Sequence, residues 1–393
     1  MQKLIKFGKR LALTLGIVLL VLVGYIYLSG NTYMFFMIKH TVFKGRLGPT
    51  IDEYPIYHNR EVKTLERPFE WPLHYAYTEK ALTETEEAYH NQYSSSAFVV
   101  IKKGQLVFEQ YWDRFSDTSR TNSWSMAKSI VGHMVGCALK DGDITSLDEP
   151  IGNYLKEYKD DTVTIRDLLM MSAGYNFYES YIDPFGYTAR TLYGDDLKKA
   201  HERYELVDES GTEFNYKSAI TQLLGFVVEE ATGKNLSEYA TEKLWKPIGA
   251  SRPALWSLDD EGGHERAYCC FNSTARDFAK FGFLYLNKGI VGTDTLIDLE
   301  YFEQATKPTD IKLLSGKPND RYGYQWWCSS YEGEDFFYAR GLNGQYTIVL
   351  PASQMIIVRL GETQPKTDVN GHRTDLAEYI KMSKRLGGLS SGG

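Results

Sequence analysis

Cysteine is scarce in this chain: four among 393 residues, at Cys137, Cys269, Cys270 and Cys328. None is spaced like a pair of metal ligands, and the eight histidines contain no His-Glu-x-x-His pattern. No catalytic metal and no cofactor is therefore expected. Cys137 falls in an apolar run and reads as core. Adjacent Cys269 and Cys270 would close a strained ring on each other; a bridge from one of them to Cys328 is the open alternative. A basic surplus is also missing. With a net charge of −7 there is no electrostatic case for a nucleic-acid partner. Internal repeats are absent, and low complexity is confined to 387–393, nearly all Gly and Ser, which reads as a flexible tail.

Long apolar runs are rare too, and the exception stands at the start. Lys3, Lys6, Lys9 and Arg10 precede an uncharged stretch from Leu11 to Leu28. Eighteen helical residues span about 27 Å, against a hydrocarbon core of about 30 Å. Tyr25 and Tyr27 lie near its far end, where interfacial aromatics belong. The expectation is a single-pass anchor in the cytoplasmic membrane, basic end inside and the remaining chain outside. A cleaved signal peptide, giving a secreted protein, is the alternative; no small-x-small cleavage site stands near Ser29-Gly30.

What is present points to chemistry. Ser125-Met126-Ala127-Lys128 opens an apolar helical run in which Ile130, Val131, Met134, Val135, Ala138 and Leu139 recur at helical spacing. Residues i and i+3 are neighbours on a helix, so the hydroxyl and the amine share one face. Ser-x-x-Lys alone arises by chance roughly once or twice in a chain of this length. Its setting carries the weight, because a lysine on a core helix needs a reason to be there. Tyr216-Lys217-Ser218 likewise leads into an apolar helix, with Leu223, Leu224, Val227 and Val228, ended by Gly233. Ser125 is thus the candidate nucleophile, with Lys128 and Tyr216 as proton-transfer groups. An ordinary lysine is neutral at pH 7 only about once in 2,500 molecules, so its pKa must fall by roughly 3 units to act as a base. Burial lowers a lysine pKa; for tyrosine only a neighbouring cation helps.

These motifs resemble those of the β-lactamase-like serine hydrolases: class C β-lactamases, D-alanyl-D-alanine carboxypeptidases, related esterases and nylon-oligomer hydrolases. The resemblance runs from about 90 to 385. Ser125–Lys128 is similar to the family's first motif and Tyr216-Lys217-Ser218 to its second. Thr164-Ile165-Arg166-Asp167-Leu168-Leu169 running into Ser172-Ala173-Gly174, the Thr274–Gly282 stretch and Tyr322-Gly323-Tyr324-Gln325-Trp326-Trp327 are also family-like. Where β-lactamases carry Lys-Thr-Gly, this chain has Ala339-Arg340-Gly341, followed by Leu342-Asn343-Gly344. The lost lysine argues against a dedicated β-lactamase and towards the esterase and nylon-oligomer branches. The resemblance implies an oxyanion hole from the backbone N–H groups of Ser125 and Leu342. It implies an acyl-enzyme on Ser125 formed from an ester or amide. Ser218, Arg340, Gly341, Asn343, Tyr175 and Tyr181 are the substrate-cleft candidates.

The implied fold is of α/β (α+β) type: an antiparallel sheet flanked by helices, a helical lobe, and the N-terminal membrane helix. Ala97–Ile101 and Leu106–Tyr111 predict a hairpin around Lys102-Lys103-Gly104. Phe336–Arg340, Tyr346–Leu350 and Met355–Leu360 predict three more strands, and Thr374–Leu386 a terminal helix. The expected segments are 1–30 (anchor), 31–90 (juxtamembrane lead-in), 91–386 (hydrolase domain) and 387–393 (tail). Between the first two motifs, Tyr175, Phe177, Tyr178, Tyr181, Phe185, Tyr187 and Tyr193 follow neither period and predict a long aromatic loop. It either lines the cleft or is packed down by its own rings. The expected partners are a small ester or amide substrate and the membrane; oligomeric state is open. Two competing readings remain, a penicillin-binding D-alanyl-D-alanine peptidase and a non-catalytic sensor or scaffold that keeps the fold.

Overall fold

The computed structural model describes residues 1–388, so the expected tail lies outside the described residues from 389 onward. The chain divides into two units, Met1–Pro49 with Tyr178–Glu202, and Thr50–Phe177 with Arg203–Gly393.

The larger unit is built on a six-stranded antiparallel sheet. Its spatial order is Trp327–Tyr331, Glu334–Gly341, Gln345–Leu350, Met355–Gly361, Ser95–Lys102, Gln105–Tyr111. Strands from both ends of the sequence meet between its fourth and fifth strands, where Val99 pairs with Val358. The expected hairpin and all three C-terminal strands are present, each within two residues of its expected bounds. The edge strand Trp327–Tyr331 was not expected: Cys-Ser-Ser gives it little β-branched content, and its place comes from pairing, as Cys328 with Phe337.

Successive side chains leave a sheet on opposite faces. Phe98, Val100, Tyr338, Tyr346, Ile348 and Ile357 form one core with Leu376, Tyr379, Ile380, Met382 and Leu386 of the terminal helix Asp375–Leu386. The opposite face takes the helix Ala275–Leu286. Gly282 sets that approach: a Cβ there would stand 2.8 Å from Ile356 Cγ2 and 2.9 Å from Thr347 Cγ2. Beyond that helix, Ala127–Asp141 and Ser218–Thr232 form the helical lobe, buried over most of their lengths.

A second, four-stranded sheet orders Asn59–Val62, Ala254–Ser257, Phe271–Ser273 and Thr121–Asn122. Residues 59–62, expected in a lead-in, are therefore part of the same unit as the motifs. Its edge pairs Asn122 with Asn272, which brings the chain before Ser125 beside the chain after Cys270. Of the two cysteine pairings left open, the adjacent one is present. Cys269 and Cys270 are disulfide-bonded to each other, while Cys328 and Cys137 are buried and free.

The smaller unit begins with the helix Gln2–Leu28, long and apolar enough to cross a membrane. A short helix, Tyr33–His40, follows. Tyr178–Glu202 packs on this N-terminal chain rather than forming one long loop. Tyr187–Tyr193 and Leu197–His201 are helical. Tyr33 Oη donates to Pro184 O at 2.8 Å, and Arg190 Nη2 donates to Asn31 Oδ1 at 3.0 Å. The aromatic run has no single period because part is turn, part is helix, and its rings answer those of the N-terminal chain.

Candidate active site

Ser125 sits in a tight turn, Trp124–Met126, that feeds directly into the helix Ala127–Asp141. The turn is unusual in its backbone. Trp124 has φ of +45°, a conformation that bulky residues avoid and that costs roughly 1–3 kcal/mol. It is held there by Asn122, whose Oδ1 accepts the Trp124 N–H at 2.8 Å. The same oxygen accepts the Cys270 N–H at 3.1 Å, tying the serine turn to the disulfide turn.

One helical turn on, Lys128 is 1% exposed. Its Nζ lies 2.9 Å from Ser125 Oγ, 3.1 Å from Ser218 Oγ and 2.9 Å from the Tyr268 carbonyl. It also stands 5.1 Å from the centre of the Tyr216 ring and 5.7 Å from that of Tyr268. Tyr268 O can only accept, so the amine donates to it, whereas each hydroxyl can donate or accept. Ser125 itself is only half-buried, so its hydroxyl can be reached.

The profile of the family described as Beta-lactamase matches residues 80–380. The chain belongs to this β-lactamase family. The 6-aminohexanoate-dimer hydrolase of Paenarthrobacter ureafaciens is 27% identical over 311 residues, spanning 74% of this chain and 79% of that protein. A putative 6-aminohexanoate-dimer hydrolase from Bacillus anthracis shares the fold, with a TM-score of 0.73 and 23% identity over 87% of this chain and 94% of that one. A family VIII carboxylesterase gives a TM-score of 0.60 at 17% identity, over 81% and 99% of the two chains. As a member of the β-lactamase family the protein is a serine hydrolase.

The family motifs have visible structural work. Thr164 and Asp167 cap the helix Ile165–Leu169 reciprocally, side chain to backbone, at 3.2 and 2.9 Å. Gln325 clasps three elements. Its Nε2 donates to Leu168 O and Leu169 O, its Oε1 accepts from Thr221 Oγ1, and its carbonyl accepts from Ser129 Oγ. Gly341 lets the strand Glu334–Gly341 lie directly on the serine turn, because a Cβ there would stand 2.2 Å from Ser123 O. Among the described residues no acceptor takes the N–H of Ser125 or of Leu342. The turn carrying Leu342 is braced from below. Arg359 Nη1 donates to Asn343 O at 2.8 Å, and Gln345 Nε2 to Leu342 O at 2.9 Å. Asn343 takes φ of +62° within it.

The sequence candidates thus fall into groups. Ser125, Lys128, Tyr216 and Ser218 converge, with Gly341 against the serine turn. Arg340 does not join them. Its guanidinium lies 5.0 Å from the Trp327 ring centre, donates to Gly371 O at 3.1 Å and stands 3.8 Å from Asp368. Strand alternation turns it to the face of Tyr338 and Tyr346, so it does not replace the missing family lysine. Trp327, whose ring is 5.5 Å from Tyr216, separates the two. Tyr175 is 1% exposed, with its hydroxyl on Asp161 and its carbonyl accepting from Lys217 Nζ at 2.6 Å. It is a packing residue rather than a cleft wall. Tyr181 belongs to the smaller unit, and its hydroxyl donates to Glu179 at 2.8 Å. Sequence reasoning missed Tyr268 and Asn122. The first acts through a backbone carbonyl, which has no side-chain signature. Burial pushes the Tyr322 phenol well up, so beside Tyr216 (6.1 Å between rings) it stays protonated.

Proposed function

We propose that this protein is a membrane-anchored serine hydrolase that cleaves an ester or amide bond through an acyl-enzyme on Ser125. The observation that carries the reading is the buried Lys128 amine, 2.9 Å from a reachable Ser125 Oγ. Ser125 Oγ attacks the substrate carbonyl carbon while its proton passes to the Lys128–Tyr216 pair. The amine is buried and stands 5.1 Å from the centre of the Tyr216 ring. The oxyanion is met by the N–H groups of Ser125 and Leu342. Tyr216 hands the proton to the departing alcohol or amine. Water then gives its proton to the same pair, attacks the acyl carbon, releases the acid and restores Ser125.

The helix Gln2–Leu28 is the anchor in this reading, and Lys3, Lys6, Lys9 and Arg10 favour a cytoplasmic N-terminus. The test treats the full chain with a fluorophosphonate probe and, separately, a fluorescent penicillin. Fluorophosphonate adduct at Ser125, with turnover of a short-chain ester, is expected. Durable penicillin acylation of Ser125 would point instead to a cell-wall peptidase. A folded Ser125→Ala protein that keeps full turnover would overturn the scheme.

A further inference from the structure

The smaller unit holds a surface that the hydrolase chemistry does not use. Its segment 178–202 is fastened to the outer root of the apolar helix Gln2–Leu28 at several points. Phe185 packs edge-on against Tyr25, in the last turn of that helix, with ring centres 6.4 Å apart. Tyr33 Oη holds Pro184 O, the Arg190 guanidinium lies 5.2 Å over the Tyr33 ring, and Phe36 meets Tyr193 at 6.4 Å. The tip so positioned is not covered. Ile182 is 94% exposed, Tyr178 71% and Phe185 45%, beside a helix end where Leu28 is 92% exposed. A single exposed aliphatic residue needs no explanation, but a cluster continuous with a membrane-crossing helix does.

We propose that this tip is a second membrane contact, in which Ile182, Phe185 and Tyr178 enter the headgroup–acyl boundary of the bilayer. The proposal rests on reading Gln2–Leu28 as a membrane anchor. Tyrosine suits that depth, with an apolar ring and a polar tip. The tip's charged residues are acidic, Glu179 and Asp183, and Asp183 Oδ1 is occupied by the Phe185 N–H at 2.9 Å. Attraction to anionic lipid is therefore not the driving force. The contact is apolar, and it forms on zwitterionic phosphatidylcholine and persists in high salt.

The test uses the full chain in phosphatidylcholine vesicles, with Ile182→Cys carrying an environment-sensitive fluorophore. Labelling is selective because Cys137 and Cys328 are buried and Cys269 and Cys270 are bonded to each other. Lys199→Cys, in the charged stretch 195–199, is the control, and Tyr178→Cys replaces Ile182→Cys should that variant not fold. With brominated acyl chains, the emission from position 182 is expected to be lost and that from 199 retained. Equal emission from 182 in brominated and plain lipid overturns the proposal, as does equal quenching at 182 and 199. Flotation separates the two ideas. A protein that floats with the vesicles but shows no quenching at 182 removes only the tip contact. One that does not float removes the anchor and the tip contact with it.

Discussion

Replacing Gly341 with alanine tests whether the strand Glu334–Gly341 sets the geometry of the serine turn. The added Cβ would stand 2.2 Å from Ser123 O, and real Cβ contacts do not fall below 3.0 Å. Neither side can swing away. Ser123 O accepts the Met126 N–H at 3.1 Å, and Gly341 is paired in register with Gln345. The φ of Gly341, −119°, is ordinary, so alanine meets the clash and no backbone strain. Turn and strand must part by about 0.8 Å. That displacement falls between Ser125 and Leu342, the two proposed oxyanion donors. A misplacement near 1 Å costs on the order of a hundredfold in rate, or about 2.7 kcal/mol of barrier. Overpacking adds a stability loss of about 1–3 kcal/mol. The assay is kcat and KM for a short-chain ester, the rate of fluorophosphonate labelling, and the urea unfolding midpoint. Gly282→Ala is the comparison, because its clash is with the methyl groups of Ile356 and Thr347. It should lose similar stability yet keep kcat per folded molecule. A folded Gly341→Ala enzyme with unchanged kcat would refute the reasoning.

Three further outcomes are expected. Gln325→Leu removes the acceptor of the buried Thr221 hydroxyl, at about 1–3 kcal/mol, while Leu168 O keeps the Met171 N–H and Leu169 O the backbone N–H of residue 325. An unmoved urea midpoint would show the clasp to be idle. Burial lowers the His90 pKa to about 3 and that of His133 to about 4. Both are neutral when folded and take up protons near pH 6.5 when unfolded, so the unfolded state binds more protons below that pH. Stability is then complete above about pH 6.5 and falls by about 1.4 kcal/mol per pH unit for each histidine down towards pH 4. Urea titrations at pH 7, 5.5 and 4.5 that give equal stabilities would contradict this. Reducing Cys269–Cys270 with a dithiol, which leaves as its own cyclic disulfide, frees the turn that holds Tyr268 O and the Cys270 N–H. Turnover should drop several-fold and return on reoxidation, and full activity with both thiols alkylated would exclude the link.

The main sheet was readable because its strands are short runs rich in β-branched and aromatic residues, as in Tyr346–Leu350, and because both hairpin arms flank a Lys-Gly turn. The helices of the two motifs were readable from their apolar spacing. The convergence of Ser125, Lys128, Tyr216 and Ser218 was legible as types and spacings, though not as distances. What escaped lies in the backbone or in pairing. Trp327–Tyr331 is a strand because Glu334–Gly341 lies beside it. Tyr268 contributes a carbonyl, and Asn122 contributes one oxygen to two turns. The partners of Arg340 (Trp327, Gly371 and Asp368) were not legible, because a sequence names a cation without naming the sheet face it leaves by. The 178–202 rings were left between two readings because their partners, Tyr25, Tyr33 and Phe36, lie far away in the sequence.

The meeting of Gly341 with Ser123 also bears on when the enzyme becomes active during its own synthesis. A chain is made from its N-terminus, and domains fold largely in that order. The proposed nucleophile, Ser125, emerges before its surroundings, which arrive in instalments: Ser218, then Tyr268, and last the strand ending at Gly341. Until that strand docks against the turn, the serine is chemically present and catalytically silent. A nascent or truncated chain would therefore carry the serine without hydrolysing what it meets. Activity then reports a completed chain, and long-range closure of this kind is also the slow part of folding.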